Sequence, residues 1–282
     1  MPGDRGYSVQ GDEEPSSRLL GLEEAPAHFE SASQKARVFT EGWARRVGCP
    51  SCGAPMLDRM PNNSPVADLC CPSCPEEYEL KSTKGQFGRR VTDGAYATMR
   101  QRLAARNNPH LMLLAYDSER REATDVFVIP KHFFTLDLIE ERKPLAATAR
   151  RAGWIGCNIN IANVPQSGRI TLLKDRRWTP REIVRAQWQS TLFLQEASLE
   201  ARGWLLEVMR AVERIGRTEF TLDEVYASEA RLQELYPANR NVRPKIRQQL
   251  QVLRESGYLE FRGRGAYRLR VAAWTHGDNP PA

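Results

Sequence analysis

Apolar residues along the chain change their period twice, and the changes divide it into an α/β half and a helical half. In "SASQKARVFTEGWARRVG", Ala36, Phe39, Trp43 and Val47 recur at helical spacing, and Gly48 follows as the residue favoured just past a helix end. "GAYATMRQRLAARNNP" predicts a second helix stopped by Asn-Pro, and "LMLLAYD" and "DVFVIP" read as buried strands. In "YELKS" the alternation sends Tyr78 and Leu80 to one face and Glu79 and Lys81 to the other. Residues 142–170, opening "RKPLAATARRAGWIGCN", are basic and predict a long irregular connection, a length usually kept for a purpose.

From about residue 190 the period becomes helical. "EARGWLLEVMRAVERIG" aligns Leu205, Val208, Val212 and Ile215 and stops at Gly216. "TLDEVYASEARLQELYP" opens with Thr221 and Glu224 at capping-box spacing. "RPKIRQQLQVLRESG" has Pro244 in its first turn and Ile246, Leu250 and Leu253 inward. "YLEFRGRGAYRLR" then alternates on both sides of R-G-R-G, a hairpin. Three helices and a basic hairpin predict a winged helix.

Composition refines this picture. At 282 residues two domains are expected, with boundaries at 31–188 and 189–271 between tails at 1–30 and 272–282. No run of about 18 apolar residues offers a membrane span. The beginning of the chain lacks a charged and apolar leader, so a reducing, cytoplasmic setting and a monomer are the expectation. Formal charge is +6, unevenly spread: residues 239–270 carry nine bases against Glu255 and Glu260. Such a concentration suits a polyanion, although a basic solvated face has the same composition.

Four of six cysteines form two C-x-x-C pairs, Cys49 with Cys52 and Cys71 with Cys74, separated by 18 residues. Two such knuckles present four thiolates to one structural Zn²⁺. Cys70 adjoins the second knuckle as a competing ligand, and Cys157 reads as a small buried hydrophobe. The second knuckle lies inside a carboxylate cluster: Asp68 precedes Glu79 by 11 residues, and Glu79 is followed by Leu80 and Lys81. If "VADLC" pairs with "YELKS", Asp68 and Glu79 converge on a site for catalytic Mg²⁺, with the Leu80 backbone carbonyl as a further ligand. Asp68, Glu79 and Lys81 are then the catalytic set for phosphodiester hydrolysis, with Lys81 steadying charge that develops at phosphorus. The zinc knuckle becomes the turn that holds the catalytic hairpin.

The runs "SQKARVFTEGW", "PVADLCC", "EEYELKSTKG", "DGAYATM", "RKPLAATARRAGWIGCN" and "KIRQQLQVLRESGYLEFRGRGAYR" resemble the DpnI family of methyl-directed restriction endonucleases over nearly all of the chain after about residue 30. The resemblance implies a PD-(D/E)XK nuclease domain with a structural zinc, joined to a C-terminal winged helix. It further implies cleavage of duplex DNA at G-A-T-C when the adenine carries an N6-methyl group. By motif, Asp68 is the acid of "PVAD", and Glu79 and Lys81 are the E-x-K pair. The tails and Cys70, where the family leads one to expect an aromatic residue, depart from the pattern.

An N6-methyl group in the major groove calls for an acceptor beside an apolar wall. Trp154, flanked by Arg150 and Arg151, is a candidate wall. On the third helix Arg243, Lys245, Arg247, Gln248 and Gln251, and on the wing Arg262 and Arg264, are candidates for bases and phosphates. The competing expectation is a zinc-ribbon and winged-helix regulator that binds DNA without cutting it, its acids and lysine forming a solvated hairpin.

Overall fold

A computed structural model describes residues 32–61, 67–120 and 122–270. Both expected tails, and Pro65 and Val66 of "PVAD", lie outside the described residues.

The chain opens with α1 (Ala32–Val47), followed by short strands β1 (Asp58–Arg59) and β2 (Leu69–Cys70), then β3 (Glu77–Lys84), β4 (Arg90–Ala95), α2 (Tyr96–Ala105), β5 (His110–Asp117) and β6 (Glu122–Ile129). Strands β7 (Ile139–Glu141), β8 (Gly156–Asn160), β9 (Ile170–Lys174) and β10 (Arg177–Trp178) follow, then α3 (Arg181–Gln189) and α4 (Phe193–Glu196). One sheet runs β1-β2-β3-β5-β6-β9-β10, with β3 and β5 parallel and the other pairs antiparallel. A smaller sheet runs β4-β8-β7.

Strand β5 shows why two layers are needed. All of Leu111 to Leu114 are buried, so the strand is apolar on both faces. Met112 and Leu114 pack with Trp43 and Val47 of α1 and with Val184 and Trp188 of α3. Leu111 and Leu113 face Val91, Met99, Leu103 and Ile159 of the small sheet and α2. The expectation of an irregular run over 142–170 is corrected here, because β8 is the middle strand of the small sheet. Its period-two signal, buried Cys157 and Ile159, is obscured by the asparagines between and after them.

The remainder is α5 (Leu199–Arg214), β11 (Glu219–Thr221), α6 (Leu222–Tyr226), α7 (Glu229–Leu235), α8 (Val242–Glu255), β12 (Leu259–Gly263) and β13 (Ala266–Leu269), with strand order β11-β13-β12. The Thr221–Glu224 capping box is formed. The helix it starts is broken in two, because the Ser228 N–H bonds the Val225 carbonyl at 3.0 Å in a tight turn and interrupts the ladder. Helix α5 is buried from Arg202 to Val212, a stretch long enough to present every side, so neighbours cover it all round. Val208, Met209 and Val212 share one apolar cluster with Ile246 and Leu250 of α8 and with Leu111 and Leu113 of the large sheet.

Candidate active site and zinc centre

The two knuckles meet. Cys49 and Cys52 follow α1, and Cys71 and Cys74 lie in the β2–β3 turn. Their sulfurs all lie within 4.8 Å of one another, with Cys49 and Cys74 at 3.6 Å and Cys52 and Cys71 at 3.5 Å. Zn–S bonds of about 2.3 Å in a tetrahedron put sulfurs roughly 3.8 Å apart, so the four thiols fit a structural zinc. Gly48 makes the first knuckle turn, at φ +81°, where a Cβ would stand 2.6 Å from the Ala54 carbonyl oxygen. Cys70 is outside the cluster: its register on β2 sets it opposite Asp58 and Glu77.

Groups that the sequence pattern did not single out tie this centre to the sheets. The buried Tyr78 hydroxyl lies 3.1 Å from the Cys49 sulfur and donates to it once the sulfur is a thiolate. Glu76, in the β2–β3 turn, accepts from His110 Nε2 at 2.6 Å and Lys131 Nζ at 2.8 Å. The His110 tautomer follows, because its Nδ1 accepts the Lys131 backbone N–H at 2.9 Å and Nε2 therefore carries the proton. Burial raises the Glu76 carboxyl, but the His110 bond and the Lys131 charge prevail and hold it at about 2.

Beyond the knuckle, β2 accompanies β3 only as far as Tyr78. The next position on that edge is taken by a side chain: the Asp68 carboxylate accepts the Leu80 N–H at 2.8 Å. In an extended strand a residue's N–H and C=O point to the same edge, so the Leu80 carbonyl faces Asp68's side. A cleft of about 350 Å³ opens there, with Arg37, Glu41, Asp68, Leu80, Ser82 and Tyr116 among its lining. Glu41 is buried and ion-paired to Arg37 at 2.6 Å and to Arg59.

On the opposite face, Lys81 Nζ lies 2.7 Å from Glu79 Oε1 and 2.8 Å from Asp93 Oδ1. Asp93 comes from β4 and was not anticipated. Its position opposite Cys157 on β8 turns it down onto Lys81, and two residues separated by 12 in sequence carry no local signal of that meeting. Burial raises the Glu79 carboxyl to about 7, with the Asp93 charge adding to the effect. Burial pulls the Lys81 ammonium down, but the two carboxylates outweigh it and keep it charged. Asp93 is disfavoured as an anion by burial, yet Lys81 holds its carboxyl below the ordinary value. The structure thus places Asp68 at the edge of the Leu80 peptide and Glu79 one residue before it, with Lys81 one residue after.

The DNA-reading candidates divide by environment. The Trp154 ring leans over Gly156, where a Cβ would meet it at 2.8 Å, and carries the Arg151 guanidinium 4.8 Å above it. Arg150 is exposed on the same loop. On α8, Arg243, Arg247, Gln248 and Gln251 are exposed. Arg243 pairs with Glu229 at 2.7 Å and lies over Tyr226, Arg247 donates to the Tyr226 hydroxyl, and Gln251 donates to Glu255 at 2.9 Å. Lys245 leans toward Trp204, its Nζ 6.0 Å from the ring, rather than standing with the exposed arginines. Arg262 pairs with Glu260 at 2.8 Å, and Arg264 occupies the wing tip at φ +48° between Gly263 and Gly265. Among the described residues no helix is long and apolar enough to cross a membrane.

The mixed sheet with its strand-edge carboxylate and E-x-K pair, the four-cysteine cluster and the helical module with a wing stand in one chain, and the family matches make it a DNA-acting protein of the restriction-enzyme class. The model of the DpnI, or Dam-replacing, family matches residues 22–197, and that of the Dam-replacing helix-turn-helix domain matches residues 200–269. The chain belongs to the Dam-replacing (DpnI) family, a family of methyl-dependent restriction endonucleases.

Proposed function

We propose that the protein is a PD-(D/E)XK endonuclease that hydrolyses phosphodiester bonds of duplex DNA at G-A-T-C sites bearing N6-methyladenine. The observation that carries the reading is the arrangement around Leu80. Asp68 binds its N–H, Glu79 and Lys81 flank it in sequence, and all three belong to a chain of this family. Asp68, Glu79 and the Leu80 carbonyl are hard oxygen donors suited to Mg²⁺, which when bound supplies charge neutralisation at the scissile phosphate and acidifies water. Lys81, held charged by its two carboxylates, stabilises negative charge as it builds on the phosphoryl oxygens.

Cys49, Cys52, Cys71 and Cys74 hold a structural Zn²⁺ that fixes the turn before β3. Base reading falls to Gln248 and Gln251 with Arg243 and Arg247, to the wing arginines Arg262 and Arg264, and to Trp154 with Arg150 and Arg151. Lys245 serves as a phosphate contact at the rim.

The test is digestion of methylated and unmethylated plasmid with Mg²⁺, alongside binding of a methylated duplex. Wild type is expected to cut only methylated DNA. Lys81→Ala and Asp68→Ala are expected to bind it and leave it intact. Binding without cutting by the wild type would replace this reading with that of a non-cleaving regulator.

A further inference from the structure

The Lys81 ammonium has two carboxylate partners, whereas the proposed chemistry accounts for only one. Glu79 sits 2.7 Å from it and Asp93 2.8 Å, at right about the same reach. The two partners differ in what else they are free to do. Glu79 belongs to the same strand as Lys81 and precedes the Leu80 peptide whose outer edge carries Asp68. To share a metal with Asp68 its carboxylate must turn toward that edge, and its bond to Lys81 is then given up or weakened.

Asp93 has no such second task. It enters from the other sheet, its backbone is fixed by pairing with Cys157, and its side chain is only 5 % exposed. Strand alternation puts it on the inward face of β4 with Val91, two residues before it. A lysine with a four-carbon stem loses its aim without a partner, since the ammonium is a point charge on a flexible chain.

We propose that Asp93 is a positioning residue for the nuclease reaction: it holds Lys81 aimed at the reacting phosphate when Glu79 turns to the metal. The inference rests on the endonuclease reading above. Asp93 touches neither substrate nor metal in this role; it acts through Lys81, which it bonds, and its charge also bears on the neighbouring Glu79. Its position also explains why a carboxylate is buried between two sheets with a lysine as its partner, since Lys81 is the group it bonds from across the sheets.

The experiment compares wild type, Lys81→Ala, Asp93→Asn and Asp93→Ser in the full chain with zinc present. Single-turnover cleavage of a methylated duplex at saturating Mg²⁺ is measured beside affinity for that duplex with Ca²⁺ and beside melting temperature. Misaiming a catalytic group by about 1 Å costs on the order of 100-fold in rate, so both Asp93 variants are expected to cut about 100-fold more slowly. Their DNA affinity is expected to stay within about twofold of wild type, because Lys81 acts in the transition state rather than in binding.

If wild type fails to cut, the endonuclease reading falls, and this inference with it. Where wild type cuts and Lys81→Ala does not, an Asp93 variant cutting within about threefold of wild type overturns the inference alone. It is also overturned by affinity falling in step with rate, or by both variants failing to fold, which would assign Asp93 to the framework instead of to Lys81.

Discussion

Glu213 of α5 is half-buried at the meeting of three segments, and its carboxylate accepts four hydrogen bonds there. The Gln166 N–H donates to Oε2 at 2.6 Å, and the Ser167 N–H, Ser167 hydroxyl and Tyr258 hydroxyl donate to Oε1 at 3.2, 2.8 and 3.0 Å. It thereby bonds the turn before β9 to helix α5 and to the start of the wing hairpin. Replacing it with alanine leaves two backbone donors and the Ser167 hydroxyl without this acceptor, while the Tyr258 hydroxyl keeps the Ser167 hydroxyl oxygen at 3.3 Å. A buried unsatisfied donor costs about 1–3 kcal/mol, but hydroxyls reorient and the four are not additive, so about 3–5 kcal/mol is expected. Glu213→Gln keeps one oxygen for Ser167 and Tyr258 and turns its amide hydrogens on the Gln166 N–H, for about 1–3 kcal/mol. Tyr258→Phe removes the bond to Glu213 and a longer one to the Ser167 hydroxyl and should cost about 1–2 kcal/mol. Urea unfolding followed by tryptophan fluorescence measures these values. A thermal scan of the alanine variant should shift by roughly 6–20 °C, taking about 2–4 °C per kcal/mol for a chain near this length. The reasoning fails if Glu213→Ala lies within about 1 kcal/mol of wild type. It fails as well if Tyr258→Phe costs the same with and without Glu213, since a shared bond must show coupling.

Three further outcomes follow from the same coordinates. Glu79 is held at about 7, so near pH 7 about half of the metal-free molecules carry its proton, and Mg²⁺ binding should release roughly half a proton per chain. Calorimetry in buffers of different ionisation enthalpy reads this, with the release vanishing by about pH 9, and no release at pH 7 contradicts it. Cys71→Ser should lower bound zinc from one ion per chain and lower the melting temperature and cleavage rate together; elemental analysis and a thermal scan check this, and unchanged activity would detach the zinc from the catalytic strand. Gly156→Ala sets a Cβ 2.8 Å from the Trp154 ring and should displace it, reducing the ratio of methylated to unmethylated duplex affinity while unfolding stability falls by about 1–3 kcal/mol; an unchanged ratio removes Trp154 from methyl reading.

The legible and illegible parts of this chain differ by sequence distance. Helices α1, α2, α5 and α8 and strands β5 and β6 were readable because burial repeats within a single segment, as at Phe39 and Trp43 or at Ile246, Leu250 and Leu253. The two cysteine pairs were readable because zinc chemistry fixes their spacing. Strand β8 was not, since asparagines follow both of its buried apolar side chains, Cys157 and Ile159. Asp93, Glu213 and the Glu76–His110–Lys131 group were also invisible. Each is a polar residue whose meaning is a partner on another segment, 12 residues away at Asp93, 34 at Glu76 and 45 or more at Glu213.

The four-cysteine cluster has a reason to be where it is. Strands β1 and β2 are two residues each, too short to hold an edge by their own ladders, yet Asp68 depends on that edge to stand over Leu80. The thiolates close the β2–β3 turn at one end. Tyr78, bonded to Cys49 and buried beneath the knuckle, then fixes the phase of β3, so that Glu79 and Lys81 fall on the face where Asp93 waits. At about 3.3 Å per residue, Lys81 lies only about 10 Å along the strand from the Tyr78 hydroxyl's own residue. A slip of one residue would exchange Glu79 and Lys81 for Tyr78 and Leu80 on that face. Glu76, held by His110 and Lys131, resists such a slip from the side of β5. The cysteine cluster, tyrosine and glutamate therefore set the register of three consecutive residues of β3, and the proposed endonuclease chemistry depends on that register.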